Sequence, residues 1–318
     1  DAPCFAFSVP SINRQEPLLR YHWVVLPQGM KNSPTICQWF VAKALSPARQ
    51  KYPQAKILYY MDDLLISAPT QKEIEEACGS VATEIKNAGL EISTSKIQET
   101  PPWRYLGGKM TEQAIIPQKI QLRIKINTLQ DLQQLLGEIN WIRSTLGITN
   151  DELAPVFDLL RGDGDIASPR TLTPEAQKAL DRVAETFQKK QAHCCIVSQP
   201  FFHAVLGEKM QLYGLIFQWD ATAKDSLLII EWVFLPYRSP KTISTTMEML
   251  AQLINRGRAR LLTMTGKTMT GKDFSVIYLP LKKQYFDWAL QKSEDLQTAL
   301  LNYSGICSIY CPSHKLLQ

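Results

Sequence analysis

The chain has 318 residues, 45% of them hydrophobic and 20% charged, a balance that excludes a disordered or fibrous protein and allows two or three domains with their own cores. Its net charge of +5 permits a polyanionic partner without requiring one. Seven cysteines, odd in number and irregular in spacing, suggest free thiols in a reducing compartment; no apolar run reaches the ~18 residues of a membrane span, and no signal peptide is visible. The opening Asp1-Ala2-Pro3, without an initiator Met, leads to the expectation that the chain is a piece of something longer.

In chain order, Cys4 to Ile12 reads as a short strand and Arg20 to Val25 as a second. Leu26-Pro27-Gln28-Gly29 reads as a tight turn. Asn32-Ser33-Pro34 then predicts a helix with Ser33 as N-cap and Pro34 at the first helical position, running to about Leu45, where Ser46-Pro47 stops or kinks it. Ile57 to Ile66 places Asp62 and Asp63 between two apolar, β-prone runs, the pattern of a hairpin with acids at its tip. Adjacent carboxylates held this way repel each other and call for a cation, and an all-oxygen donor set favours Mg²⁺ or Mn²⁺ over zinc. A polar hairpin tip is the competing reading, since Asp is a common turn residue. Glu73 to Asn87 is amphipathic, with Ile74, Cys78, Val81 and Ile85 on one stripe and Gly89 where a C-terminal cap belongs. Trp103 to Met110 reads as a strand interrupted by glycines that allow close backbone approach.

After Ile116-Pro117 two helices dominate. Thr128 with Asp131 caps the first, which carries Leu132, Leu135, Leu136, Ile139 and Ile142 on one face. Thr173-Pro174-Glu175 starts the second, with Ala176, Leu180, Val183 and Phe187 inward, and Arg161 to Asp165 forms a loop between them. From about Met210 the period becomes two. Strands are expected at Leu212 to Phe217, Leu227 to Phe234 and Leu261 to Thr265, with a helix over Thr245 to Asn255. Gly266-Lys267-Thr268 lacks the upstream glycine of a phosphate-binding loop, and Cys307, Cys311 and His314 lack a fourth zinc ligand.

Five motifs in order carry a resemblance. Phe5 to Asn13, Leu26-Pro27-Gln28-Gly29-Met30 with Ser33-Pro34, Tyr60-Met61-Asp62-Asp63, and Tyr105-Leu106-Gly107 resemble the polymerase palm of retroviral reverse transcriptases, of betaretrovirus-like or endogenous retroviral Pol type. Leu135 to Trp141, with Leu159 to Gly162 and Leu172 to Glu175, resembles the thumb. The resemblance implies an α+β multidomain protein: a right-hand polymerase with partial fingers and palm at 1–112, thumb at 113–195, and an inactive ribonuclease H-like connection at 196–318. In that last part Asp220 and Glu248 mimic two acids of the ribonuclease H site, while the expected strand from Leu261 supplies no third.

What the resemblance implies for chemistry is RNA-directed DNA synthesis: two-metal transfer of a nucleotide from dNTP to a primer 3′-hydroxyl on an RNA or DNA template. Asp62 is then the main Mg²⁺ ligand, with Mn²⁺ as substitute, and Asp63 the subsidiary one. Met61 lies against the nucleotide or primer terminus, Tyr60 braces the hairpin, and Gln28 contacts the nucleotide sugar. Leu106 and Gly107 grip the primer, while Gln133, Gly137 and Trp141 face the minor groove; packing of Trp141 in the core is the competing reading. The family's first catalytic Asp ends a strand expected upstream of Asp1, so the piece alone is expected to be a poor polymerase. Expected partners are template-primer, dNTP, and a homo- or heterodimer mate through connection or thumb, with no membrane, in cytoplasm or virion. A non-catalytic nucleic-acid-binding or dimerising remnant of an endogenous element is the rival.

Overall fold

A computed structural model describes residues 6–9, 19–27, 29–117, 126–207, 211–236, 245–265 and 273–317. They form two compact units, Asp1–Glu99 and Thr100–Gln318.

In the first unit, β1 (Phe7–Val9) pairs antiparallel with β2 (Leu19–Tyr21). The second strand differs from the expected Arg20 to Val25: its register with β1 runs from Leu19 to Tyr21, and Trp23 packs its ring beside Phe7, 5.8 Å between centroids. Helix α1 (Ser33–Ala44) starts one residue earlier than expected. Asn32 is the N-cap and makes no side-chain cap bond, whereas Ser33 lies inside the helix and donates its hydroxyl to the Pro27 carbonyl at 2.8 Å. Pro47 starts a second short helix, α2 (Ser46–Lys51). Next come β3 (Lys56–Tyr60), β4 (Asp63–Ser67) and α3 (Gln71–Asn87). Thr70 caps α3 at the Glu73 amide. Gly89, at φ +78°, closes it, with the Leu90 amide reaching Ile85 O and the Gly89 amide reaching Lys86 O. The buried stripe of α3 is Ala77, Val81 and Ile85; Cys78 is exposed, contrary to expectation, because the smaller Ala77 is the residue turned inward. Val41, Leu45, Ala48, Ile57, Val81 and Ile85 form the core of this unit.

The second unit begins with β5 (Trp103–Tyr105), β6 (Gly108–Met110) and β7 (Ala114–Pro117). The expected single strand over Trp103 to Met110 is therefore a hairpin, since Leu106 and Gly107 both adopt positive φ, +48° and +75°. Three helices follow: α4 (Leu129–Leu146), α5 (Asn150–Asp158) and α6 (Pro174–Lys189). The capping box of Thr128 and Asp131 forms as expected, and Leu132, Leu135, Leu136, Ile139 and Ile142 are buried. Helix α5 was not expected; Thr149 and Glu152 give it a capping box, but Pro155 lies inside it. Ala176, Leu180 and Val183 of α6 enter the same core, while the Phe187 side chain lies outside the described residues. Strand β8 (Ala192–His193) pairs with β7 and completes a four-stranded sheet, β5-β6-β7-β8.

The rest of this unit is built on β9 (Phe202–Leu206), β10 (Tyr213–Trp219), β11 (Leu227–Val233), α7 (Thr246–Thr265), β12 (Val276–Tyr278), α8 (Lys283–Lys292), α9 (Glu294–Ala299) and β13 (Ile306–Ser308). The sheet order is β11-β10-β9-β12-β13; β9, β10 and β11 are antiparallel, while β12 runs parallel to β9 and β13. The expected strand at Leu261 to Thr265 is instead the last part of α7, whose inner face includes Leu253, Ile254, Gly257 and Leu261. Gly257 is inside that helix because the fully buried His203 ring occupies its side-chain space: a Cβ there would lie 2.6 Å from His203 Cε1. Helix α4 docks on β11. Arg143 lies over the Phe234 ring at 4.3 Å, and Asn150 donates to Leu235 O at 3.0 Å.

Candidate active site and nucleic-acid interface

Strands β3 and β4 pair from Lys56↔Ser67 to Tyr60↔Asp63, leaving Met61 and Asp62 as a two-residue turn. Met61 has φ +50°, a conformation that costs a bulky side chain about 1–3 kcal/mol and persists only where the surroundings impose it. Here the ladder below imposes it. Ile57, Tyr59, Leu64 and Ile66 form the inner face against the helices, and Arg49 of α2 donates twice to Ile57 O, at 3.2 and 2.9 Å. Alternation then sends Tyr60 and Asp63 to the opposite face, beside Leu58. Burial, with Cys37 beside it and the Asp62 charge nearby, pushes the Tyr59 phenol up to about 12. Asp63, paired with Tyr60, therefore lies on the open face of the ladder. Asp62, Asp63, Tyr60 and Met61 are all exposed.

Two adjacent exposed carboxylates offer only hard oxygen donors, which favour a divalent cation such as Mg²⁺ over zinc. Among the described residues no group of three or more His, Cys, Asp and Glu side chains gathers as a metal cluster. Gln28 and Asp1 lie outside the described residues, as do Gly266, Lys267 and Thr268.

In the second unit the remaining candidate residues come together. Gln133, Gly137 and Trp141 are exposed on α4, opposite its leucine stripe. Trp141 is 55% exposed, so it is no core residue. Its indole N–H donates to Leu106 O at 3.1 Å, bringing α4 to the β5–β6 turn. A Cβ on Gly137 would meet nothing within 4 Å, leaving an open, flat strip beside the indole. Sequence reasoning missed Arg104 and Lys109. They face each other across the hairpin, both exposed, two residues either side of the Leu106–Gly107 turn. Like charges directly opposite destabilise a ladder. That symmetric spacing about the turn was the available signal.

Asp220 and Glu248 are engaged locally: Asp220 accepts from the Thr222 amide and hydroxyl at 2.9 and 2.6 Å, and Glu248 accepts from Gln252 at 2.8 Å. All three bonds come from residues two or four positions along the chain.

The first unit carries a carboxylate hairpin; the second carries an aromatic, glycine-bearing helix beside a basic hairpin. Residues 1–110 match the family model for reverse transcriptase (RNA-dependent DNA polymerase), residues 117–181 that for the reverse transcriptase thumb domain, and residues 209–317 that for the ERVK-8-like, RNaseH-like domain. The chain belongs to the retroviral reverse transcriptases, an RNA-directed DNA polymerase lineage. It is 40% identical over 318 residues to the Gag-Pro-Pol polyprotein of mouse mammary tumor virus, covering all of this chain and 17% of that polyprotein. The corresponding proteins of sheep pulmonary adenomatosis virus and Mason-Pfizer monkey virus are 36% and 35% identical over 319 residues, again covering all of this chain and 18% and 17% of theirs. Multidomain α+β architecture agrees with these matches, and reverse transcriptases use divalent metal ions. Among the described residues no helix is long and apolar enough to cross a membrane.

Proposed function

We propose that this chain is the palm, thumb and connection part of a right-hand RNA-directed DNA polymerase, divided at 1–112, 113–195 and 196–318, that extends a primer with dNTP on an RNA or DNA template. The observation that carries the reading is the Asp62–Asp63 pair on a hairpin anchored by its inner face, within the region that matches the reverse transcriptase family. Asp62 and Asp63 would hold Mg²⁺, with Mn²⁺ as substitute. Bound there, the cations would supply charge stabilisation for the attacking and leaving oxygens of an in-line displacement. Met61 lies at the tip, where a nucleotide base or primer terminus would rest, Tyr60 braces the open face, and Gln28 is assigned to the nucleotide sugar. Full charge compensation for two cations needs a carboxylate beyond these two, so this chain by itself should polymerise poorly. Dimerisation through the connection part is supported by the exposed, stacked rings of Tyr285 and Trp288 on α8, 4.7 Å apart.

Leu106 and Gly107 would grip the primer, and Gln133, Gly137 and Trp141 would follow the minor groove of the hybrid, where a flat ring and a bare backbone read shape rather than sequence. Arg104 and Lys109 add a sequence-independent attraction to phosphate. Anisotropy of a labelled RNA–DNA hybrid, titrated across a salt series, tests this. Affinity should fall as salt rises, and Trp141→Ala should weaken binding by about tenfold, the scale of one aromatic contact. Equal affinity of the two proteins at every salt concentration would remove the groove-binding role.

A further inference from the structure

The β5–β6 turn is strained in a way its own strands do not repair. Leu106 sits at φ +48°, and the hairpin is only three residue pairs long. Gly107 at φ +75° is compatible with its conformation, and a Cβ there would come no closer than 4.0 Å to the Trp141 indole nitrogen, so the glycine answers to backbone geometry rather than to crowding. Leu106 therefore depends on outside support. The described contact that supplies it is the 3.1 Å bond from Trp141 Nε1, from a residue 35 positions along the chain. Trp141 itself is held on a helix whose opposite face is buried in the leucine core and whose end is clamped at Arg143 and Gly147.

We propose that Trp141 is a positioning residue, whose indole N–H holds the Leu106–Gly107 turn so that the primer-gripping hairpin and the groove-facing helix present one continuous surface to a primer terminus. The inference deepens the nucleic-acid reading above and rests on it. It separates two things the Trp141 side chain does: its ring face offers area to the groove, while its N–H faces the protein and sets the turn. Trp141→Phe keeps most of the first and removes the second; Trp141→Ala removes both.

The test uses the whole chain with Trp141→Phe, Trp141→Ala, Leu106→Gly and the double variant Leu106→Gly/Trp141→Phe. Amide hydrogen exchange at Gly107 and Gly108 reports the turn in the free protein. Anisotropy with a blunt RNA–DNA hybrid and with the same hybrid carrying a recessed primer 3′ end reports its use. In Trp141→Phe, exchange should quicken about tenfold, the scale of one lost neutral hydrogen bond, and affinity for the recessed-end hybrid should fall more than affinity for the blunt one. Any preference of the wild type for the recessed end should be lost in the same variant. Leu106→Gly, which relieves the strain, should make exchange insensitive to the Phe substitution. Unchanged exchange in Trp141→Phe would overturn the proposal, as would an equal loss of both ligands in Phe and Ala. If wild type binds neither hybrid, the nucleic-acid reading fails and the positioning role falls with it; quickened exchange would then show only a structural bond.

Discussion

The turn at Met61–Asp62 and the turn at Leu106–Gly107 each place a bulky residue at positive φ, +50° and +48°, at the first position of a two-residue loop. Five residue pairs and a helix-covered inner face hold the first; three pairs, the β7 ladder along β6 and one indole hydrogen bond hold the second. The same backbone strain is thus imposed locally in one unit and from a distant helix in the other. Rigid placement of carboxylates calls for the first solution. A hairpin that must stay aligned with a helix calls for the second.

The comparison breaks most severely by disturbing the helix that supports the second turn. Gly147 ends α4 at φ +68°, and a Cβ there would run into the Trp232 ring. Gly147→Ala should cost about 3 kcal/mol through backbone strain and overpacking. Thermal unfolding of the second unit should shift down, while tyrosine signals from the Tyr59 and Tyr60 hairpin should keep their transition.

Acid should separate the two units in the same direction. His203 is fully buried and stacked on Phe274 at 5.0 Å, and among the described residues neither ring nitrogen has a hydrogen-bond partner; burial pulls its pKa down from 6.5 to about 3. The unfolded chain therefore takes up a proton that the folded chain refuses. This contribution to stability is complete above pH ~6.5 and is lost as pH falls from there toward ~3, at about 1.4 kcal/mol per pH unit. Denaturant midpoints between pH 7 and 5 should show that slope, reduced by about one proton in His203→Leu.

The smallest effect sharpens the comparison at the turns themselves. Met61→Gly should stabilise the first hairpin by no more than about 1 kcal/mol, since relief of the strain is opposed by the entropy of glycine. Leu106→Gly should gain less, because Trp141 already offsets part of its strain. Paired urea titrations of the two variants give the difference directly.

What could be read from the residues alone follows the same division between local and distant causes. The Thr128–Asp131 capping box and the leucine stripe of α4 are local signals, and both formed. The Asp62–Asp63 hairpin was legible for the same reason: each flanking run is β-prone and the acids sit between them. Leu261 to Thr265 was read as a strand but continues α7 through Gly257, a glycine whose cause is the His203 ring on another strand, which propensity cannot see. Helix α5 was missed because Pro155 obscures a sound Thr149–Glu152 cap. The Leu106–Gly107 turn read as an interrupted strand, since nothing near Leu106 predicts a left-handed leucine and its support comes from Trp141. Ser33 looked like an N-cap, yet its hydroxyl serves the Pro27 carbonyl.

The central claim, that Asp62 and Asp63 form the metal end of a polymerase site, is tested most directly by primer extension. The chain would be joined to the polypeptide that precedes the matched segment in the mouse mammary tumor virus polyprotein and supplied with RNA template, DNA primer, dNTPs and Mg²⁺. Extension should appear, require the divalent ion, fall by more than about a thousandfold in Asp62→Asn, and fall less in Asp63→Asn, on the scale of lost charge stabilisation in a metal-assisted displacement. A joined protein that folds and holds template-primer yet extends nothing, or that extends equally well with Asn at position 62, would contradict the account.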